Sequence, residues 1–324
     1  MKAVVCEKFG SADVLELKEI DKPSPKDDEV LIKSYASSLN ALDITFRSGA
    51  IEVLGLDRLF MKGIRKPRIK IVGTDISGEI ESVGAKVTRF KKGDQIYGIA
   101  RSGGACAEYT CMKPANIAAI KPANMTYEEA AAVPAACLVA LVALRDRANI
   151  QSGQKVLING ASGGIGHFAV QLAKTYETEV TAVCGTRNLS MVQDLGADFV
   201  IDYTQEDFTK SGQTYDIIFD AVGKNSFSNC KNSLNDTGIY VTVDFMNPKK
   251  HLLQMVWTKF RSKKIKGGML KEQGPEDLDF LRDLIEAEKV KSVIDKRYPM
   301  SQIAEAHRYY EKGHSNGKVV ITVR

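Results

Sequence analysis

Residues 155–187 carry the pattern richest in chemistry. An apolar run, Val156-Leu157-Ile158, leads into Asn159-Gly160-Ala161-Ser162-Gly163-Gly164-Ile165-Gly166. Apolar residues then recur at helical spacing from His167 to Lys174, and Glu179-Val180-Thr181-Ala182-Val183 runs on into Cys184-Gly185-Thr186-Arg187. A turn with this many glycines brings the backbone close to a phosphate without Cβ collisions, and the amides that open the next helix donate to an anion. The spacing is Ala161-x-Gly163-x-x-Gly166, a Gly-x-Gly-x-x-Gly pattern without its first glycine. The strand–turn–helix–strand order around it is what separates a dinucleotide site from a glycine-rich surface turn. Ser162, Gly163, Gly164, Ile165 and Gly166 are the expected pyrophosphate contacts.

The end of the second strand selects the dinucleotide. An acidic residue there accepts hydrogen bonds from the adenosine ribose of NAD, whereas a 2′-phosphate requires a cation. Here the residues are Gly185, Thr186 and Arg187. A guanidinium grips phosphate bidentately and a hydroxyl adds a donor, so the expected cofactor is NADPH. The competing reading is an arginine that only solvates a helix start.

A chain of 324 residues is too long for one ordinary core and predicts two domains. With 44% hydrophobic and 26% charged residues, the composition is that of a soluble globular protein, and a net charge of +5 does not point to nucleic acid. Six dispersed cysteines without C-x-x-C spacing predict free thiols in a reducing compartment, with a cytoplasmic location expected. Met1-Lys2-Ala3-Val4-Val5 reads as a first strand rather than a signal peptide. The apolar stretch Ala130 to Leu144 is shorter than the roughly 20 residues of a membrane span and contains Pro134, so it reads as a buried helix.

The first third alternates or runs apolar between Gly, Pro and Asp, at Ala3–Val5, Leu15–Leu17, Glu29–Lys33, Gly78–Val83 and Gln95–Ile99. That density predicts a small barrel-like β domain. A helix is expected over Tyr127–Leu144, followed by the βαβ pattern and strands at Phe199–Asp202, Asp216–Asp220 and Gly238–Val243. The fold class is therefore α/β with a doubly wound parallel sheet. The tail adds helices at Pro275–Glu288 and Ile303–Glu311, a strand near Val293-Ile294 and a last strand, Lys318–Val323.

Several segments carry a family resemblance. They are Ser38-Leu39-Asn40-Ala41-Leu42-Asp43, Arg47-Ser48-Gly49, Gly73-Thr74-Asp75, Lys92-Gly93-Asp94, Ala131-Ala132-Val133-Pro134, Leu195-Gly196-Ala197-Asp198, Asp220-Ala221-Val222-Gly223 and Gly317-Lys318-Val319-Val320. With the glycine turn, they resemble the zinc-independent quinone-oxidoreductase branch of the medium-chain dehydrogenase/reductase superfamily, over essentially the full length. The resemblance is strongest to the chloroplast-envelope homologues and their mitochondrial reticulon-interacting relatives. It implies a GroES-like catalytic domain over 1–121 and 272–324, a Rossmann NADPH-binding domain over 122–271, a cleft between them and a homodimer. It also implies hydride transfer to a quinone or an α,β-unsaturated carbonyl.

Zinc-bearing members carry Cys and His-Glu where this chain has Asn40 and Thr74-Asp75, which cannot complete a tetrahedral N/S site, so no metal is expected. His307 and His314 read as surface or satisfied core histidines. By position, Asn40 is the first catalytic candidate and Thr45 the second, at a place where the family often has tyrosine. Further implied cofactor contacts are Tyr203 against adenine, Val222 and Gly223, Val243 and Phe245, Gly268 and Met269, and Lys318 from the tail.

Two other readings compete. Gly160-x-x-x-Gly164-x-Gly166 also fits a short-chain dehydrogenase turn, yet the one Tyr-x-x-x-Lys, Tyr109 to Lys113, precedes the turn instead of following it. A non-catalytic NADPH sensor, or a membrane or RNA adaptor on the same fold, is the alternative of a different class. Lys249–Lys264 places the single tryptophan, Trp257, among apolar residues between basic clusters. Such a segment packs on the core or forms a weak peripheral membrane contact, helped by the basic stretch Arg58–Lys70.

Overall fold

The structure is a computed structural model that describes residues 1–49, 67, 70–113, 118–243, 258, 262–266, 274–313 and 315–324. The chain divides into two compact units. One comprises Met1–Ala136, Gln273–Glu288 and Ser292–Arg324, and the other Cys137–Glu272 and Lys289–Lys291. Residues 122–136, which the sequence assigns to the nucleotide-binding half, group with the first unit.

The first unit opens with an antiparallel ribbon, β1 (Lys2–Cys6) against β2 (Leu15–Glu19). Its sheet is built on β3 (Val30–Ser38), which pairs antiparallel with both β4 (Asp75–Val83) and β6 (Tyr109–Met112). From β4 the order continues to β5 (Gln95–Ile99) and β7 (Ala118–Ile120). Apolar residues of β3, β4 and β5, among them Ile32, Ile76, Ile80 and Ile96, form a core with Phe90. The continuous helix expected over 127–144 is not formed. Thr126 caps a short helix, Tyr127–Ala131, a second runs from Pro134 to Leu141, and Val142–Ala148 continues as a wider π-type turn. Proline lacks the N–H that a helix interior needs and sits best at a helix start, so Pro134 restarts the helix.

The second unit is a parallel sheet of β8 (Lys155–Asn159), β9 (Glu179–Cys184), β10 (Phe199–Asp202), β11 (Tyr215–Asp220), β12 (Leu234–Thr242) and β13 (Lys264–Lys266). Among the described residues the order is β10-β9-β8-β11-β12-β13, which is the 3-2-1-4-5-6 order of a dinucleotide-binding sheet. Val156, Leu157 and Ile158 are fully buried, as a strand covered on both faces requires. The C-terminal ends of β8, β9, β10 and β11 place Asn159, Cys184, Asp202 and Asp220 along one edge of the sheet, where ligands of such sheets bind.

The tail completes the first unit's sheet. After the helix Pro275–Glu286, β14 (Ile294–Pro299) pairs parallel with β15 (Lys318–Thr322), and β15 pairs antiparallel with β3. This pairing brings residue 318 beside residues 38–40. The amphipathic helix Ile303–Glu311 buries Ile303, Ala306 and His307.

Candidate active site

In the second unit, the glycine turn joins β8 to the helix Gly166–Thr175. Gly160 takes φ +78°, so the tight turn is made one residue before the pattern read from the sequence, and Ala161 needs no left-handed conformation. Gly166 is required by packing, since a Cβ there would lie 2.0 Å from the carbonyl oxygen of Gly160. The helix start has no side-chain cap. The amides of Gly164 and Ile165 donate to no backbone acceptor among the described residues, whereas Gly163 N–H is used by Gly160 and His167 N–H by Gly163. Ser162 N–H and Gly166 N–H likewise have no acceptor among the described residues, and such donors at an uncapped helix N-terminus fit the pyrophosphate of a dinucleotide.

Ser162 Oγ accepts from Asn188 Nδ2 at 3.1 Å, which ties this turn to the end of β9. There Thr186 and Arg187 are exposed. Thr186 Oγ1 donates to Asp202 Oδ2 at 2.5 Å, and Asp202, at the end of β10, also accepts from Thr204 N and Oγ1. Those bonds, led by that from Thr186, hold the Asp202 carboxyl below the usual carboxylate range. Tyr203 is exposed, and its hydroxyl would meet a Cβ on Gly185 at 3.4 Å, so the phenol flanks Gly185.

At the end of β11, buried Asp220 organises the loop that holds Val222 and Gly223. Its carboxylate accepts from Val222 N, Gly223 N and Asn225 N, each at 3.1 Å, from Asn159 Nδ2 at 2.8 Å and from Tyr240 Oη at 2.9 Å. Burial, reinforced by this carboxylate, pushes the Tyr240 phenol well up. Asp220 is legible in the sequence only as part of Asp220-Ala221-Val222-Gly223, and its position at a strand C-terminus is the signal for this role. Val243 donates its N–H to the Asp220 carbonyl, while Phe245, Gly268 and Met269 lie outside the described residues, as do most of Lys249–Lys264 and Arg58–Lys70.

The first unit holds a buried polar cluster around Asn40, which caps the helix Ala41–Ser48. Asn40 Nδ2 donates to Asp75 Oδ2 at 2.9 Å and to Thr74 Oγ1 at 3.3 Å, and its Oδ1 accepts from Lys318 Nζ at 2.6 Å. Lys318 is 2% exposed, 3.5 Å from the wholly buried Asp75, and also donates to the Leu39 carbonyl. Its ammonium is therefore engaged inside this unit. Ser38 Oγ and Ala135 N complete the shell of Asp75. Asp43 accepts from Asn40 N at 2.8 Å and Thr74 Oγ1 at 3.2 Å. Burial, with Asp75 adding repulsion, pushes the Asp43 carboxyl up to about 7.

Thr45 gives its hydroxyl hydrogen to the Ala41 carbonyl at 2.7 Å within the helix. Tyr310, beside Asp43 and Asp75, has its phenol pushed up to about 12, chiefly by burial. His307 is buried, but neither ring nitrogen has a hydrogen-bond partner among the described residues, so it is not the satisfied core histidine expected. Among the described residues no group of three or more His, Cys, Asp or Glu side chains is placed to hold a metal.

Comparison with known proteins agrees with this architecture. Residues 26–143 match the alcohol dehydrogenase GroES-like domain, and residues 195–321 match the zinc-binding dehydrogenase domain. The chain is 35% identical to the chloroplastic quinone-oxidoreductase homolog of Spinacia oleracea, over 96% of this chain and 95% of that one. It is 31% identical to the chloroplastic NADPH-dependent alkenal/one oxidoreductase of Arabidopsis thaliana, over 99% of this chain and 79% of the relative. The solved structure of the quinone oxidoreductase from Coxiella burnetii matches with a TM-score of 0.87 at 30% identity, covering 100% of this chain and 99% of that one.

Fold and matches together define a GroES-like plus Rossmann dehydrogenase. The chain belongs to the medium-chain dehydrogenase/reductase family, in its quinone-oxidoreductase branch. The cytoplasmic location expected from the cysteines and N-terminus does not stand, because several of the curated relatives it matches are chloroplastic or mitochondrial proteins. The dispersed cysteines argue only against a disulfide framework and do not single out the cytoplasm.

Proposed function

We propose that this chain uses NADPH to reduce quinones or α,β-unsaturated carbonyls without a metal. The observation that carries the reading is the glycine-turn amides, Gly164 and Ile165 among them, that have no acceptor among the described residues, followed at the end of β9 by exposed Arg187. The names of the relatives, a quinone oxidoreductase and an NADPH-dependent alkenal/one oxidoreductase, support the acceptor class. Expected adenosine contacts are Gly185, Thr186, Arg187 and Tyr203, with Ser162 through Gly166 at the pyrophosphate and Val222, Gly223 and Val243 at strand ends.

When bound, the nicotinamide supplies a hydride. Asn40 has both amide hydrogens and one Oδ1 lone pair engaged, so it is held in one orientation and retains an acceptor for a single donor. Thr45 has given its hydrogen to Ala41, so its hydroxyl presents lone pairs only.

The test is NADPH oxidation, followed by absorbance, against a panel of quinones and short enones. Turnover of either class is expected, and turnover of neither refutes the reading. Charge-assisted hydrogen bonds to phosphate carry enough energy that Arg187→Ala should weaken NADPH binding about 10–100-fold and leave NADH nearly unchanged. Equal loss for both cofactors would refute the assignment of Arg187.

A further inference from the structure

We propose that Asp202 is a cofactor-specificity residue that works against the 2′-phosphate, and so limits how strongly the chain prefers NADPH over NADH. The proposal rests on the reading that Gly185–Arg187 receives the adenosine ribose.

Asp202 pairs in register with Cys184 of β9, which sets its carboxylate beside the residues that follow that strand. Thr186 Oγ1 donates to Asp202 Oδ2 at 2.5 Å, and Thr204 Oγ1 donates to Oδ1 at 2.8 Å. The two hydroxyl oxygens are 3.2 Å apart. Each threonine has one hydroxyl hydrogen, and both are given to the same carboxylate. Toward a ligand, these hydroxyls therefore present lone pairs only. A ribose 2′-hydroxyl can donate to such a surface. A 2′-phosphate instead meets lone pairs backed by a carboxylate, whose low pKa keeps it charged at neutral pH.

Arg187, one residue on, attracts the phosphate, so adjacent groups of opposite sign act on one ligand position. The acid that an NAD site carries at the end of its second strand is missing from the sequence there. It is supplied instead from the end of the third strand, 16 residues after Thr186, through the threonine hydroxyl.

Asp202→Asn is the discriminating variant. Its Oδ1 keeps accepting from Thr204, while its Nδ2 donates to Thr186 Oγ1 and frees that hydroxyl hydrogen for a phosphate. Affinities for NADPH and NADH are measured by nucleotide fluorescence, and those for 2′-AMP and 5′-AMP by competition. The NADPH/NADH and 2′-AMP/5′-AMP affinity ratios should each rise about two- to fivefold, as for an exposed charge. The gain should shrink as salt rises, which a merely structural change would not do. Asp202→Thr serves if the asparagine variant folds poorly, and the same rise is expected from it.

Ratios that stay unchanged, or that fall, in a folded variant overturn the proposal. Arg187→Ala measured alongside separates the two levels of inference. If it lowers both ratios while Asp202→Asn leaves them unmoved, only the role of Asp202 fails. If it leaves both ratios unmoved, the ribose assignment itself fails.

Discussion

Lys318 Nζ lies 2.6 Å from Asn40 Oδ1 and 3.5 Å from Asp75 Oδ2, so one buried ammonium orients the amide and neutralises the carboxylate behind it. Burial alone pulls the Lys318 pKa down, while Asp75 and Asp43 oppose that pull. The chain thus holds a cation of its own where its polar side chains converge.

Removing that cation leaves Asp75 buried without a counter-charge. Lys318→Met should destabilise the protein by about 3–5 kcal/mol, because an orphaned buried charge costs more than the pair contributes. Adding Asp75→Asn should recover part of the loss, as expected of coupled partners. Urea unfolding of the two single variants and the double variant checks this, and strict additivity would show that the pair is not coupled.

Stability should depend on pH through two buried groups that act in opposite senses. Asp43 rises from its ordinary 3.8 to about 7, so between those values the folded state binds more protons than the unfolded one. Its contribution is full below about 3.8 and is lost as pH rises toward 7. His307 falls from 6.5 to about 3, mainly by burial and secondarily through Arg47, so the folded state binds fewer protons there. That contribution is full above 6.5 and is lost as pH falls toward 3. Asp43→Asn should flatten the decline of the urea midpoint on the neutral side, and His307→Leu the decline on the acid side. Profiles of both variants parallel to wild type would contradict the assignment.

Substitutions in the glycine turn should be graded by the space at each Cβ. At Gly166 the new atom would sit 2.0 Å from the Gly160 carbonyl oxygen and 2.8 Å from Ala161 Cα, both rigid backbone, whereas at Gly163 the nearest atom is 3.3 Å away. Gly166→Ala should cost about 1–3 kcal/mol or more and weaken dinucleotide binding sharply, and Gly163→Ala should be milder in stability. Thermal unfolding and NADPH titration of both variants provide the measurement. Equal effects would mean that the turn adjusts freely.

Local periodicity and spacing determined a good deal of this protein. The strand Phe199–Asp202 and the helix Ile303–Glu311 are formed over the residues read from the sequence, the strand on a short apolar run and the helix on a 3.6-residue repeat that buries Ile303, Ala306 and His307. The βαβ pattern and the placing of Arg187 after β9 follow from the same short-range rules. The helix break at Pro134 follows from proline's missing N–H, yet the apolar run around it masked the stop.

Only the tertiary structure decided which distant groups meet. Gly160 rather than position 161 makes the tight turn, because the backbone must curve past Val222, whose Cγ2 would be 2.4 Å from a Cβ at Gly160. Lys318 reaches Asn40 across 278 residues because β15 pairs with β3. Asp202 reaches Thr186 because two parallel strands end side by side. Hydrogen bonds of this kind depend on strand order and register, which close contacts between segments far apart in sequence, and a pattern of residue types along one segment carries no record of its partner.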